Sequence, residues 1–137
     1  MIARRPAVLV VEDEVLLQTT LSAFLTLHDF VTFRASDVDQ ALDILSRERI
    51  DAVTLDIRLP DARGTKRNGF TILTFLRAHP VHAHLPVVIF TGMPLTDDEE
   101  VLAKRFRAEV IYKPDPYRLV VEGLTRMLAA QQPQAQP

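Results

Sequence analysis

Five short apolar runs, each followed by a stretch with helical spacing, organise this chain. Ala7 to Val11 is continuously apolar, is entered after Pro6 and stops at Glu12, Asp13 and Glu14. Val31 to Ala35 alternates as a strand does, and Val53, Thr54 and Leu55 form a β-branched, apolar run inside Asp51 to Pro60. Val87 to Phe90 follows Pro86, and Val110 to Tyr112 ends at Lys113 and Pro114. Runs of this kind suit strands buried on both faces of a parallel sheet. Between them, Leu17, Leu21, Phe24, Leu25 and His28 recur at helical spacing and predict a helix from about Glu14 to Leu27, closed by His28. Ser36 with Asp37 and Asp39 marks the start of a second helix, faced by Val38, Ala41, Leu42 and Leu45. Phe70, Leu73 and Leu76 carry a third, which must end before His79 because Pro80 disfavours α geometry in the residue ahead of it. Thr96 and Glu99 match a capping box for a fourth helix through Arg107. Its apolar face (Val101, Leu102, Phe106) is thin, so it should be the least firmly packed. Val120, Leu124, Met127 and Leu128 stripe the last helix.

Five strands alternating with five helices, without an internal repeat, predict an α/β fold with helices covering a parallel sheet. The expected layout is one domain over residues 1–130 and a frayed tail over 131–137, where PQAQP offers nothing to pack. At 137 residues the chain can bury a full core without staples. Its 47% hydrophobic and 25% charged residues and net charge of −2 are those of an ordinary globular domain, and argue against direct nucleic-acid binding. The absence of cysteine excludes disulfides and thiolate metal sites. No apolar stretch approaches the roughly 20 residues of a membrane span, and the opening run is too short for a secretion signal, so the cytoplasm is the expected location.

The chemistry lies where the strands end. In a parallel sheet all carboxyl ends share one edge, where open α/β sheets bind ligands. Glu12 and Asp13 follow the first strand, Asp56 the third, Thr91 the fourth and Lys113 the fifth. Clustered anions repel: two unit charges about 4 Å apart cost roughly 1 kcal/mol in water and about 4 at an effective dielectric of 20. A hard divalent cation compensates them, and Mg²⁺ suits one or two carboxylates, waters and a phosphate oxygen. Asp56, on the central strand, is then a nucleophile toward a phosphoryl donor, with Lys113 and Thr91 positioned for the phosphoryl oxygens.

Read together, VLVVEDE, LDIRLP, VVIFTG and IYKP, spread over Val8 to Pro114 in this order and spacing, resemble the response regulator receiver domain of two-component signalling. The resemblance implies a doubly wound, flavodoxin-like five-stranded sheet of order 2-1-3-4-5. It makes Asp56 the phospho-acceptor, places Glu12, Asp13 and the Arg58 backbone carbonyl with Asp56 around Mg²⁺, and makes Thr91 and Lys113 the phosphate contacts. It further implies a cis Lys113–Pro114 bond. The phosphoryl donor would be a phosphohistidine on a sensor histidine kinase or a histidine phosphotransfer protein. The expected form is a stand-alone response regulator that phosphorylates and dephosphorylates itself rather than a turnover enzyme. A downstream target, or a second copy of the chain, would dock on helix 96–107, strand 110–112 and the last helix. The alternative is a receiver-like interaction module that works without phosphorylation.

Two departures from the family pattern stand out, and two variable places bear on them. Val110 occupies the place, three before Lys113, where many receivers carry a switch aromatic. Tyr112, two residues on and on the same side of the strand, is the candidate replacement. The segment 61–68 is about five residues longer than usual and carries Arg63, Lys66 and Arg67, either as a tolerated surface loop or as a basic lip at the reactive edge. Arg58 and Met93 occupy the two variable places that, in this family, influence how long the phosphoryl group survives. Other readings are weaker. His79, His82 and His84 could ligate a transition metal but suit a solvated loop. A dehalogenase-type phosphatase needs an acid where Arg58 stands, and a flavin site needs Ser, Thr and Gly amides where the first strand turn is acidic.

Overall fold

The computed structural model describes residues 4–60 and 66–131. The elements run β1 (Ala7–Val11), α1 (Val15–Leu27), β2 (Val31–Ala35), α2 (Val38–Arg47), β3 (Ala52–Leu55), β4 (Arg58–Pro60), β5 (Lys66–Asn68) and α3 (Phe70–Ala78). They continue with β6 (Val87–Thr91), α4 (Asp97–Arg105), β7 (Glu109–Tyr112) and α5 (Tyr117–Gln131). Five strands form a parallel sheet ordered β2-β1-β3-β6-β7, which is the expected 2-1-3-4-5 when only these five are counted.

Strand alternation divides the interior into two cores. Leu9, Val11, Val53, Leu55, Val87 and Ile89 face one side of the sheet, where α2, α3 and α4 cover them. Val8, Val10, Ala52, Val88, Phe90 and Ile111 face the other, against Leu21 and Leu25 of α1 and Val120 and Leu124 of α5. Because both faces are covered, the central strands β1, β3 and β6 are buried at every position and almost wholly apolar, whereas the edge strands β2 and β7 carry exposed and polar positions. That is why the central strands read as continuous runs rather than as alternation.

Helix ends follow local chemistry. The Asp37 side chain, not that of Ser36, caps α2 by accepting from the Gln40 amide at 2.7 Å. Thr96 and Glu99 form the expected capping box of α4, which ends at Arg105, two residues earlier than its periodicity suggests. Arg107 then adopts φ 59°, and the Ala108 amide donates back to the Ala103 carbonyl at 2.9 Å, closing the helix in a left-handed turn. Only Ala103 of α4 is fully buried, in keeping with its thin apolar face.

The stretch after Asp56 departs from the expected plain loop: Arg58–Pro60 pairs antiparallel with Lys66–Asn68 as a separate two-stranded ribbon. Pro60 ends no ladder of the main sheet, because β3 already stops at Leu55. Arg63 lies outside the described residues, as does the tail from Gln132 onward.

Candidate functional site

Register brings the strand ends together. Val11 pairs with Leu55, so Glu12 and Asp56 leave adjacent strands side by side. The Glu12 amide donates to Ala35 O and the Asp56 amide to Val11 O, both at 3.0 Å, which fixes each main chain just past the sheet. Thr91 pairs with Tyr112, and the Lys113 amide donates to Thr91 O at 2.9 Å, so the ends of β6 and β7 are tied to each other. The Lys113–Pro114 bond is cis.

The side chains meet as the residue types suggest. The Lys113 ammonium donates to Glu12 Oε1 at 2.7 Å and to Asp56 Oδ2 at 3.2 Å, and lies 5.7 Å from the centroid of the buried Phe90 ring. Glu12, Asp56 and Thr91 are buried, whereas Asp13 is exposed. One carboxylate oxygen from each of Glu12, Asp13 and Asp56 lies within 4.8 Å of the others. Burial pushes the Glu12 carboxyl up to about 7 against the Lys113 bond that opposes it, and the Asp56 charge adds to the rise. For Lys113 burial works the other way, but the Glu12 and Asp56 carboxylates outweigh it and hold the ammonium above its ordinary value.

Arg58 enters the site with its main chain, and its side chain leaves it. Its amide donates to Asp56 Oδ1 at 3.4 Å. In the ribbon, the Gly69 amide donates to Ile57 O at 2.6 Å, and bonded and non-bonded pairs alternate along an antiparallel ladder. Arg58, opposite Asn68, therefore falls at a non-bonded pair, which leaves its carbonyl outside the ladder. Its guanidinium instead forks onto Glu99 of α4, at 2.8 and 3.1 Å. Gly69 packs under the site: a Cβ there would collide with the Asp56 carbonyl oxygen, so the close approach itself requires glycine.

Other candidates lie farther out. Tyr112 and Val110 do share a face. They line a groove of about 600 Å³ between α4 and β7 with Leu95, Val101, Ala103 and Ala108, and Tyr112 is 36% exposed. Met93 is exposed just beyond Gly92. His82 is buried and stacks on His79, with ring centroids 4.8 Å apart, at the end of α3. Among the described residues the acid-and-imidazole groups able to hold a metal reduce to Glu12, Asp13 and Asp56, so the histidine loop forms no such cluster.

Two contributors escaped the sequence reading. Gln18 is buried on α1, and its amide donates to Glu12 O at 2.9 Å and Ala35 O at 3.1 Å, bracing the turn that presents the acids. A polar residue inside an apolar stripe was the available signal. The buried face of α1 is Gln18, Leu21, Ser22 and Leu25, turned from the predicted stripe so that His28 is exposed. The capping-box motif marks Glu99 as a cap and carries no sign of its second partner, Arg58.

A doubly wound sheet with an acidic, lysine-bridged carboxyl edge is the arrangement of an open α/β domain that binds a ligand at its strand ends. The chain belongs to the response regulator receiver domain family, whose model matches residues 8–122. It is 30% identical over 120 residues to the probable transcriptional regulator ycf29 of Cyanophora paradoxa, covering 85% of this chain and 55% of that protein. It is 26% identical over 108 residues to the polar-differentiation response regulator DivK of Brucella anthropi, covering 79% of this chain and 84% of DivK. The non-phosphorylated HemR receiver domain of Leptospira biflexa superposes with a TM-score of 0.80 at 26% identity, covering 95% of this chain and 99% of that one. The chain spans about half or less of the length of the first curated relatives it matches, and most of the length of DivK. Among the described residues no helix is long and apolar enough to cross a membrane.

Proposed function

We propose that the chain accepts a phosphoryl group on Asp56 from a phosphohistidine and passes the signal on through a phosphorylation-dependent protein contact. The observation that carries this reading is the Lys113 ammonium bridging Glu12 and Asp56, with Asp13 at the same edge. An all-oxygen donor set of three carboxylates and the outward Arg58 carbonyl fits a hard cation, so Asp13, Asp56, Glu12 and that carbonyl would hold Mg²⁺. Bound there, Mg²⁺ supplies positive charge that offsets the anions and the incoming phosphoryl oxygens.

The chain's own residues do the rest. An Asp56 carboxylate oxygen forms the new bond to phosphorus as the phosphorus–nitrogen bond of the donor breaks, the electron pair staying with the imidazole. Lys113, already held at the carboxylate, offers its ammonium to the phosphoryl oxygens, and Thr91 offers a hydroxyl from the adjacent strand end. Arg58 and Met93 flank the site and tune how long the phosphoryl group survives. The donor is a cytoplasmic sensor histidine kinase or histidine phosphotransfer protein.

Beryllofluoride with Mg²⁺ tests the reading. Wild type should bind it, with amide shifts at Asp56, Thr91 and Lys113 in NMR spectra, and Asp56→Asn should not. No response in either protein would leave an interaction module that works without phosphorylation.

For output, the groove between α4 and β7 and the adjoining α5 surface form the proposed contact for a target or a second copy of the chain. Tyr112 takes the aromatic switch role that Val110 cannot. Tyr112→Ala should leave beryllofluoride binding intact yet abolish the beryllofluoride-dependent shifts along α4. Unchanged α4 shifts would remove Tyr112 from the switch.

A further inference from the structure

The Arg58 guanidinium and the Glu99 carboxylate form a forked pair that joins the reactive edge to α4, 41 residues away in sequence. The Glu99 side chain is 12% exposed and the Arg58 side chain 36%, so the pair is partly shielded from water. One carboxylate does two jobs. Glu99 Oε1 also accepts from the Thr96 amide at 2.9 Å, closing the capping box of α4, while the Glu99 amide donates to Thr96 Oγ1 at 3.1 Å. The main chain of Arg58 lies against Asp56, its amide bonded to Oδ1. The packing of α4 itself is slight, with Ala103 its only fully buried residue, so a charged tie at its first turn adds to a weak apolar hold.

We propose that Glu99 is the resting counter-ion of Arg58, and that a phosphoryl group on Asp56 draws the guanidinium off Glu99, making Arg58 a phosphoryl-binding residue and releasing the first turn of α4. The inference rests on Asp56 being the phospho-acceptor. Phosphorylation replaces the single charge of the Asp56 carboxylate with nearly two charges and three acceptor oxygens beside the Arg58 main chain, about one negative charge more than Mg²⁺ and Lys113 offset at rest. A guanidinium is matched to either partner in fork geometry, so the larger charge takes it. Glu99 keeps its bond to Thr96 and α4 stays helical. What is lost is the Arg58 fork between the edge and a first turn that also carries Asp97, Asp98 and Glu100. The groove lined by Val101, Ala103 and Tyr112 moves with the helix, which couples Asp56 to the proposed output face.

The test is a beryllofluoride titration in Mg²⁺ of wild type, Glu99→Gln and Glu100→Gln, with hydrogen exchange of the α4 amides. Glutamine preserves the capping box but not the ionic hold on Arg58. Glu100→Gln removes the same charge from an exposed neighbour and controls for simple electrostatics. Glu99→Gln should bind beryllofluoride about fivefold or more tightly than wild type, the size of a modest coupling between sites. Glu100→Gln should stay within about twofold. Beryllofluoride should speed α4 exchange in wild type, whereas Glu99→Gln should exchange fast from the outset. Equal affinities of the two variants, or α4 exchange in wild type that beryllofluoride leaves unchanged, overturns the proposal while the phospho-acceptor stands. Absence of any binding to wild type removes both.

Discussion

Glu12 carries the electrostatic tension of the reactive edge. Its carboxyl is buried, lies near Asp56 and is pushed up to about 7, so without a cation the folded protein holds a proton there that the unfolded chain releases near 4.5. A carboxyl with a raised folded-state pKa contributes its full stability below the unfolded value and loses it as the pH climbs through the folded one. Metal-free stability should therefore drop between about pH 4.5 and 7 on account of this group. Asp56→Asn removes one anion and leaves Lys113 paired with Glu12. It should raise the melting temperature in EDTA by roughly 3–5 °C near pH 8, equivalent to about 1 kcal/mol. The gap should shrink toward pH 5, where Glu12 is protonated in wild type too. A lower melting temperature for Asp56→Asn at pH 8 would show that the Lys113 bond outweighs the repulsion. The ionisable residues of this site were legible because each sits where an apolar run stops. Gln18 and the second role of Glu99 were not, since each depends on a segment far away in sequence arriving within hydrogen-bond distance.

At the level of elements, the main strands and helices were readable from apolar runs, helical stripes and caps, with boundaries moving by one or two residues. The β4–β5 ribbon was not. Its residues, Arg58–Pro60 and Lys66–Asn68, are mostly polar types with a proline among them, and the single buried leucine, Leu59, is too little apolar pattern to mark a strand. What anchors it is Gly69, whose amide holds Ile57 O and whose missing side chain lets α3 begin directly against the Asp56 carbonyl. Gly69→Ala should force the main chain of Asp56 or of the ribbon aside and cost on the order of 1–3 kcal/mol, as overpacking does. Urea unfolding would measure it, and a loss below about 0.5 kcal/mol would mean the ribbon shifts freely. Because the Arg58 carbonyl is set by the same ribbon, the variant should also weaken Mg²⁺ binding. α4 is tied from outside at both ends: Arg58 holds Glu99, and Arg77 of α3 donates to Phe106 O at 2.8 Å, a cation at the negative end of the helix dipole. Neither tie could be read from the helix's own sequence, whose thin apolar face suggested only that it packs loosely.

For the whole molecule, alternating strands and helices are compatible with several strand orders, and it was the likeness to receivers that singled out 2-1-3-4-5. Once that order is set, β1 and β3 are neighbours, and the acids that end them have no choice but to meet. The domain is thus folded around a repulsion that its apolar cores overcome, and a divalent cation should relieve it. A ligand bound only by the folded state stabilises it by mass action, by about 2.7 kcal/mol at a hundred times its dissociation constant. Metal binding requires the acid form to lose its proton, so Mg²⁺ competes with the proton on Glu12. The expected outcome is that Mg²⁺ raises the melting temperature strongly at pH 8 and much less at pH 6, below the raised Glu12 value of about 7. The fall of stability with pH seen in EDTA should flatten or reverse in Mg²⁺. Asp13→Asn removes an exposed acid of the cluster that burial does not require, so it should leave the EDTA melting temperature nearly unchanged while cutting the Mg²⁺ increment. Scanning calorimetry of both proteins at the two pH values, with Mg²⁺ and with EDTA, measures all of these terms together. A Mg²⁺ increment that is the same at pH 6 and pH 8 would place the cation away from Glu12.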